Sequence, residues 1–336
     1  MCNSKTNPGM ISVIICTYNR SLLLKEAIDS ALSQSYPLME IIVLDGNSTD
    51  NTSDIMKQYE SNPSVVYMRD SVDRGPQYYL KYGLRISHGD YVVFMDDDDY
   101  YVDKDFFTKA MNIFLNSPAH LSFVSANVKC YDILKEKYLP YHPLNISGYI
   151  AGIEYLEKFM VKYSKPTSVF CTIFNKSSLL CADLLDVDWF IDSIIYMRAF
   201  LSGDAYIMED VVGVYRIHDG NLSKRLSPEF IMSGLIEKRE VYNIISQKKL
   251  FKYVNLWWLS VIKISCGYYV KSTTPRIRDF NRVARWCINT SPEIRLRVLS
   301  YICVLKIYLY YRKLLGFVSK VSKYMCVLYK AFDKKS

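Results

Sequence analysis

Short apolar runs alternate with helical patterns through the first half of the chain. "ISVIIC" (Ile11 to Cys16), "EIIVLD" (Glu40 to Asp45), "SVVYM" (Ser64 to Met68), "YVVFM" (Tyr91 to Met95) and "LSFVSA" (Leu121 to Ala126) are rich in β-formers and lack polar alternation, which predicts strands buried on both faces. Between the first two, Leu24, Ala27, Ile28, Ala31 and Leu32 recur at helical spacing as far as Pro37; between the second and third, Ile55, Met56 and Tyr59 do the same before Pro63. Strand, helix, strand, helix predicts an α/β fold with a mostly parallel, doubly wound sheet. In such sheets ligands bind beyond the carboxyl ends of the strands.

Farther along, residues 127 to 165 are less regular, and "KPTSVFCTIF" (Lys165 to Phe174) returns to strand character. Trp189 to Gly203 reads as a helix, with Ile191, Ile194, Ile195, Met197, Arg198 and Leu201 on its buried face and Gly203 as its stop. "YIMEDVVGVYRIH" (Tyr206 to His218) is further strand material. From about Ser227 the pattern turns helical, aromatic and basic, so the expected organisation is an α/β domain over residues 1–230 and a helical region over 231–336.

Composition adds contrast between the two parts. The 336 residues are half apolar, enough for a sizeable core. The formal charge is +8, but from Val241 onward 19 Lys and Arg face 3 acids, a balance of +16 that leaves −8 on residues 1–240. Nine scattered cysteines without a C-x-x-C pair point to buried thiols in a reducing compartment, not to a disulfide framework or a zinc site. The N-terminus lacks a basic segment followed by a long apolar one, so no signal peptide is expected. In the basic region no stretch of 18 apolar residues escapes a charge, which predicts helices lying on an anionic membrane surface in preference to spans. Packing of those helices on the first domain is the alternative, and no nucleic-acid motif accompanies the charge.

The polar clusters all follow strands: "TYNR", "DGNSTD", "DSVDRG" and "DDDD". Four successive carboxylates, Asp96 to Asp99, repel one another unless a cation compensates them, and the D-x-D spacing of Asp96 and Asp98 suits one hard divalent ion. A solvated acidic turn is the plainer reading. Asp45 at a strand end can accept from a pyrimidine ring N–H, Tyr18 can wall the base, and Ser48, Thr49 and Asp50 can cap the next helix. Arg216 and His218 stand two apart on one side of a strand, so both can reach one ligand.

The series "SVIICTYNR", "EIIVLDGNSTDNT" and "HGDYVVFMDDDDYY" resembles the nucleotide-sugar-binding domain of family 2 glycosyltransferases, which have the Rossmann-like GT-A fold. The resemblance covers roughly residues 10 to 225. It implies that Thr17, Tyr18, Asn19 and Asp45 hold the nucleoside and that Asp73, Arg74 and Gly75 line the nucleotide pocket. Asp96, Asp97 and Arg216 would face the diphosphate, with Asp98, Asp96 and His218 on its Mn²⁺ or Mg²⁺. Asp192 occupies the place of the general base, with Asp186 and Asp188 as local competitors. "YYLKYGL" departs from the family, Lys81 standing where Asn is common.

The implied activity is inverting transfer of a sugar from a nucleoside diphosphate, UDP by preference, to a saccharide or lipid-linked saccharide. It would serve surface polysaccharide synthesis at the cytoplasmic face of a bacterial membrane. Two rivals stand beside it. A nucleotidyltransferase would carry a glycine-rich loop after its first strand, and "CTYNRS" has no glycine. A calcium-binding membrane scaffold would need no base at Asp192.

Overall fold

The computed structural model describes residues 9–221 and 226–332, with 315–332 as backbone. It divides into two compact units, one reaching to Asp219 and including Asn243–Phe251, the other made of Gly220–Tyr242 and the chain from Lys252 onward.

The first unit is a mixed α/β structure. Its strands are β1 (Ile11–Thr17), β2 (Met39–Asp45), β3 (Val65–Arg69), β4 (Tyr91–Asp96), β5 (Tyr100–Tyr101), β6 (Leu121–Asp132), β7 (Lys137–Tyr138), β8 (Gly148–Ile150), β9 (Thr172–Asn175) and β10 (Asp204–Ile217). Its helices are α1 (Ser21–Leu32), α2 (Thr52–Met56), α3 (Pro76–Ile86), α4 (Phe106–Asn116), α5 (Gly152–Lys158), α6 (Lys176–Cys181) and α7 (Asp192–Ser202). The sheet order is β3-β2-β1-β4-β9-β6-β10-β5. The long ladders, β1 with β2, β1 with β4, β2 with β3 and β6 with β10, are parallel, and the antiparallel ones are short pieces.

The apolar runs form the predicted strands because both faces are covered: every residue of β1 is buried, and so is all of β2 after Met39. Leu24, Ala27, Ile28 and Ala31 of α1 lie in the core, as do Ile55, Met56 and Tyr59. α3 packs on β1 so closely that a Cβ on Gly83 would come within 2.3 Å of Ile14 Cγ2.

Four expectations change. β3 is an edge strand with Val66 and Met68 exposed, because nothing pairs beyond it among the described residues. β6 runs on to Asp132 through the stretch that reads as irregular, since β10 supplies a parallel partner and Asn127 Nδ2 donates to the Met208 and Glu209 carbonyls where their register shifts. In Lys165 to Phe174 only Thr172 onward is strand; Pro166 has no N–H to donate, and Val169–Cys171 is a 3₁₀ turn whose Phe170 carbonyl accepts from Tyr101. α7 begins at Asp192, not Trp189, because Ile191 is extended.

The second unit is helical, with α8 (Pro228–Lys248) contributing as far as Tyr242, then α9 (Val254–Thr273), α10 (Ile277–Asn289) and α11 (Arg295–Phe332). Trp258, fully buried, donates to Ser291 Oγ at 2.8 Å. Arg239 lies over the rings of Tyr242 and Trp258 and pairs with Glu293. Among the described residues no helix is long and apolar enough to cross a membrane. Cys16, Cys171, Cys266 and Cys287 are buried free thiols; Cys2 lies outside the described residues.

Candidate active site

Parallel register carries sequence into site. Thr17 stands opposite Asp45 and Cys16 opposite Asp96, so β1, β2 and β4 end on one edge of the sheet. Beyond β4 the chain turns through Asp97, Asp98 and Asp99 into β5. Oxygens of Asp96, Asp98 and Asp99 lie within 4.8 Å of one another. Asp97, Asp98 and Asp99 are buried, and Asp96 is partly exposed.

Charges this close and this dry are costly unless compensated. Arg20 Nη1 lies 2.8 Å from both Asp97 Oδ1 and Asp98 Oδ2, Thr17 Oγ1 donates to Asp97 Oδ2, and His218 Nε2 is 2.7 Å from Asp98 Oδ2. Asp99 accepts from the Arg216 backbone N–H at 2.9 Å and from Ser168 Oγ at 3.4 Å. The Asp96 carbonyl accepts from the Asp99 N–H at 3.4 Å, but its carboxylate accepts no hydrogen bond among the described residues. Burial, then the charges of Asp98, Asp192 and Asp97, push its carboxyl well above the usual range. Burial and the charges of Asp96 and Asp98 do the same to Asp99. Burial pushes Asp97 up to about 6 against the pull of Arg20. A cluster of hard oxygen donors that resists ionisation, one of them without a donor of its own, fits a divalent cation of the Mg²⁺ or Mn²⁺ kind.

The expected nucleoside residues separate into two groups. Asp45 is fully enclosed, its Oδ1 accepting from Ser48 N–H at 2.8 Å and its Oδ2 from Tyr67 O–H at 2.6 Å, so it braces the following loop and does not present itself to a base. Asn19, at φ +54°, likewise ties two loops, accepting from Thr49 N–H and donating its own N–H to Ser48 Oγ. Thr17 is spent on Asp97. Tyr18 projects with 48 % of its surface exposed. Asp73 turns back to accept from Gly75 N–H and hangs over Gly46, where a Cβ would come within 2.8 Å of its Oδ1. Arg74 pairs with Asp70 and stacks on Tyr78.

Asp192 opens α7 with its side chain half exposed, 3.2 Å from Lys165 Nζ, and close enough for its charge to be felt at Asp96. Asp186 ends a 3₁₀ turn and Asp188 lies in the bend that links it to α7. Lys81 Nζ donates to the Val187 carbonyl at 3.0 Å, tying α3 to that link. Arg216 and His218 do converge on one residue, Asp98: Arg216 Nε donates to its carbonyl and His218 reaches its carboxylate. Arg216 also pairs with Glu26 at 2.8 Å and covers the Tyr100 ring, so it acts here as a strut and not as an open diphosphate ligand. Sequence reasoning passed over Arg20, Glu26, Tyr67, Lys165 and Ser168. Only Arg20 carried a signal, a cation after one strand facing acids after another.

Comparison with known proteins agrees with this geometry. The chain is 34% identical over 93 residues to a UDP-Glc:alpha-D-GlcNAc-diphosphoundecaprenol beta-1,3-glucosyltransferase, WfaP, of Escherichia coli, a match over 28% of this chain and 37% of that protein. To TuaG of Bacillus subtilis, a putative teichuronic acid biosynthesis glycosyltransferase, it is 32% identical over 126 residues, 37% of this chain and 49% of the relative. The matches thus span between about a third and a half of these relatives. In fold it is similar to S. aureus TarS 1-349, solved in complex with UDP-GlcNAc, at a TM-score of 0.65 and 16% identity over 90% of this chain and 89% of that one. That likeness gives the GT-A architecture and the helical region after it. The model of glycosyl transferase family 2 matches residues 12–180, half of the chain, and with the strand-end acids in place the chain belongs to that family.

Proposed function

We propose that the chain transfers a sugar from a nucleoside-diphosphate donor, UDP-linked by preference, to a hydroxyl of a glycan or lipid-linked glycan with inversion at the anomeric carbon. The observation that carries this reading is the cluster of Asp96, Asp98 and Asp99 oxygens at the sheet edge, with Asp192, an accessible carboxylate, near enough for its charge to act on Asp96. The UDP preference draws on the TarS complexes with UDP and UDP-GlcNAc and on the glucosyltransferase named for UDP-Glc.

Asp98, Asp96 and His218 would hold a divalent cation, Mn²⁺ or Mg²⁺, which supplies positive charge against the leaving diphosphate. Tyr18 and the Asp73–Gly75 turn are the surfaces left to meet the nucleoside; Thr17, Asn19 and Asp45 keep the loops that carry them in place. Asp192 takes the proton of the acceptor hydroxyl as that oxygen bonds to the anomeric carbon, and the bond from that carbon to the diphosphate oxygen breaks on the opposite face. Opposed attack and departure give inversion. Lys165, beside Asp192, holds the carboxylate in its place, and Arg20 shields the acid turn. The setting we propose is surface polysaccharide assembly in a bacterium, at the inner face of its membrane, with the basic helical region meeting anionic lipid.

Calorimetric titration with UDP, CDP, GDP and dTDP, with and without Mn²⁺, tests the reading. UDP is expected to bind only with the metal and to lose binding in Asp98→Ala. Absence of binding by all four nucleotides overturns it.

A further inference from the structure

α11 is apolar on two opposite sides. Val298, Ile302, Leu305 and Leu309 recur at helical spacing and are buried. Leu296, Val304, Ile307, Tyr310, Tyr311 and Leu314 recur on the other side and are exposed, Leu296 by 79 % and Ile307 by 68 %. Ser300 and Cys303 fall on the same stripe, so within the described side chains of the helix no charge interrupts it. Its margins carry Arg295, Arg297, Lys306 and Lys313, none of them ion-paired among the described residues. An apolar stripe of this length left open to water marks a surface made for a partner.

We propose that this stripe docks on an anionic lipid bilayer, with the helix lying in the headgroup plane. The apolar side chains enter the acyl boundary, the tyrosine rings sit at headgroup level and the marginal cations meet lipid phosphates. Charge decides the occupant. A second copy of the chain would bring the same cations against themselves, in a region that carries 19 Lys and Arg against 3 acids from Val241 onward. The inference deepens the membrane part of the proposed function and stands apart from the transfer chemistry.

The test is flotation of the full chain with phosphatidylcholine vesicles, with and without phosphatidylglycerol, at low and high salt. Wild type is expected on the anionic vesicles alone and to come off with salt. Ile307→Ser with Leu314→Ser should weaken binding by about tenfold per side chain. Arg295→Gln with Arg297→Gln and Lys313→Gln should weaken it by about fivefold per cation and abolish the preference for phosphatidylglycerol. Both variants alter exposed positions and should titrate with Mn²⁺ and UDP as wild type does. If wild type ignores the charge of the vesicle, or the serine variant floats as well as wild type, the proposal fails. It also fails if light scattering finds a dimer that the serine variant loses, because the face then belongs to a second copy. Vesicle binding without nucleotide binding would sink the transferase reading and leave this one standing.

Discussion

Replacing Asp96 by Asn removes one negative charge from the crowded end of β4 at almost unchanged volume. Oxygens of Asp96, Asp98 and Asp99 lie within 4.8 Å of one another, and at an effective dielectric of about 20 a like-charge pair at that distance costs about 3 kcal/mol. Arg20 cancels part of this, and the open side of Asp96 screens more, so the net relief from Asn is ~1–2 kcal/mol. Its sign depends on pH. The folded protein holds the Asp96 carboxyl well above its ordinary value of 3.8, so above that pH the folded chain keeps a proton that the unfolded chain has released. Wild-type stability without metal therefore falls as pH rises, and the Asn variant escapes that fall. In chelator, the melting temperature of the variant should match wild type at about pH 4 and exceed it by ~2–6 °C at about pH 8. In calorimetry the same variant should bind Mn²⁺ and UDP at least ~100-fold more weakly, because the carboxylate without a hydrogen-bond donor of its own is the one most open to a cation. A variant that melts lower than wild type at both pH values, or that binds Mn²⁺ and UDP normally, refutes the reasoning.

Asp192→Asn should lower kcat by ~10³-fold or more in a sugar-transfer assay while leaving UDP affinity within about twofold, since the role proposed for it is on the acceptor proton and not on the donor. Arg216→Lys loses the planar fork that spans the Asp98 carbonyl and Glu26, and should cost ~2–3 kcal/mol in chemical denaturation and weaken UDP binding through Asp98. In the helical unit burial pushes the Lys238 ammonium down to about 8, so wild type gains stability as pH rises from there toward the ordinary lysine value of 10.5. Lys238→Met should therefore stabilise by ~1–2 kcal/mol below pH ~8, after allowing for its partial exposure, with the advantage fading as pH approaches ~10 in thermal melts.

The strands were legible because a buried parallel sheet needs uninterrupted apolar runs, and "SVIIC" and "YVVFM" are short and rich in β-branched and aromatic residues, as strands are and longer buried helices are not. The acid turn was legible because four carboxylates in succession demand an explanation. What each functional side chain does was much less so. Asp45 sits at a strand end and looks like a ligand in sequence, yet Tyr67, 22 residues on and one strand over, takes its second oxygen. Nothing in "SVVYM" announces that bond, because it depends on β2 and β3 pairing with Asp45 opposite Arg69. α7 starts three residues later than its pattern implies for a local reason: Trp189 to Ile191 continue the apolar pattern, and only the extended backbone of Ile191 makes Asp192 the first helical residue. That correction bears on chemistry, since a carboxylate at a helix start is both held by the helix dipole and free to face outward.

The acid turn, too, is held in place by the whole sheet. Asp98 meets Arg20 across 78 residues and His218 across 120, and Asp99 meets the Arg216 backbone across 117. β5 pairs with β10 only at Tyr101 opposite Gly213 and Tyr100 opposite Val214, and that short ladder brings the acid turn to the end of β10. At Gly213 a Cβ would come within 2.5 Å of the Phe170 ring and 2.7 Å of the Tyr100 carbonyl. A side chain there would push β10 away from the acid turn without touching any carboxylate. The site is thus set by backbone fit at a residue that carries no chemistry of its own, a dependence that no reading of "DDDD" by itself contains.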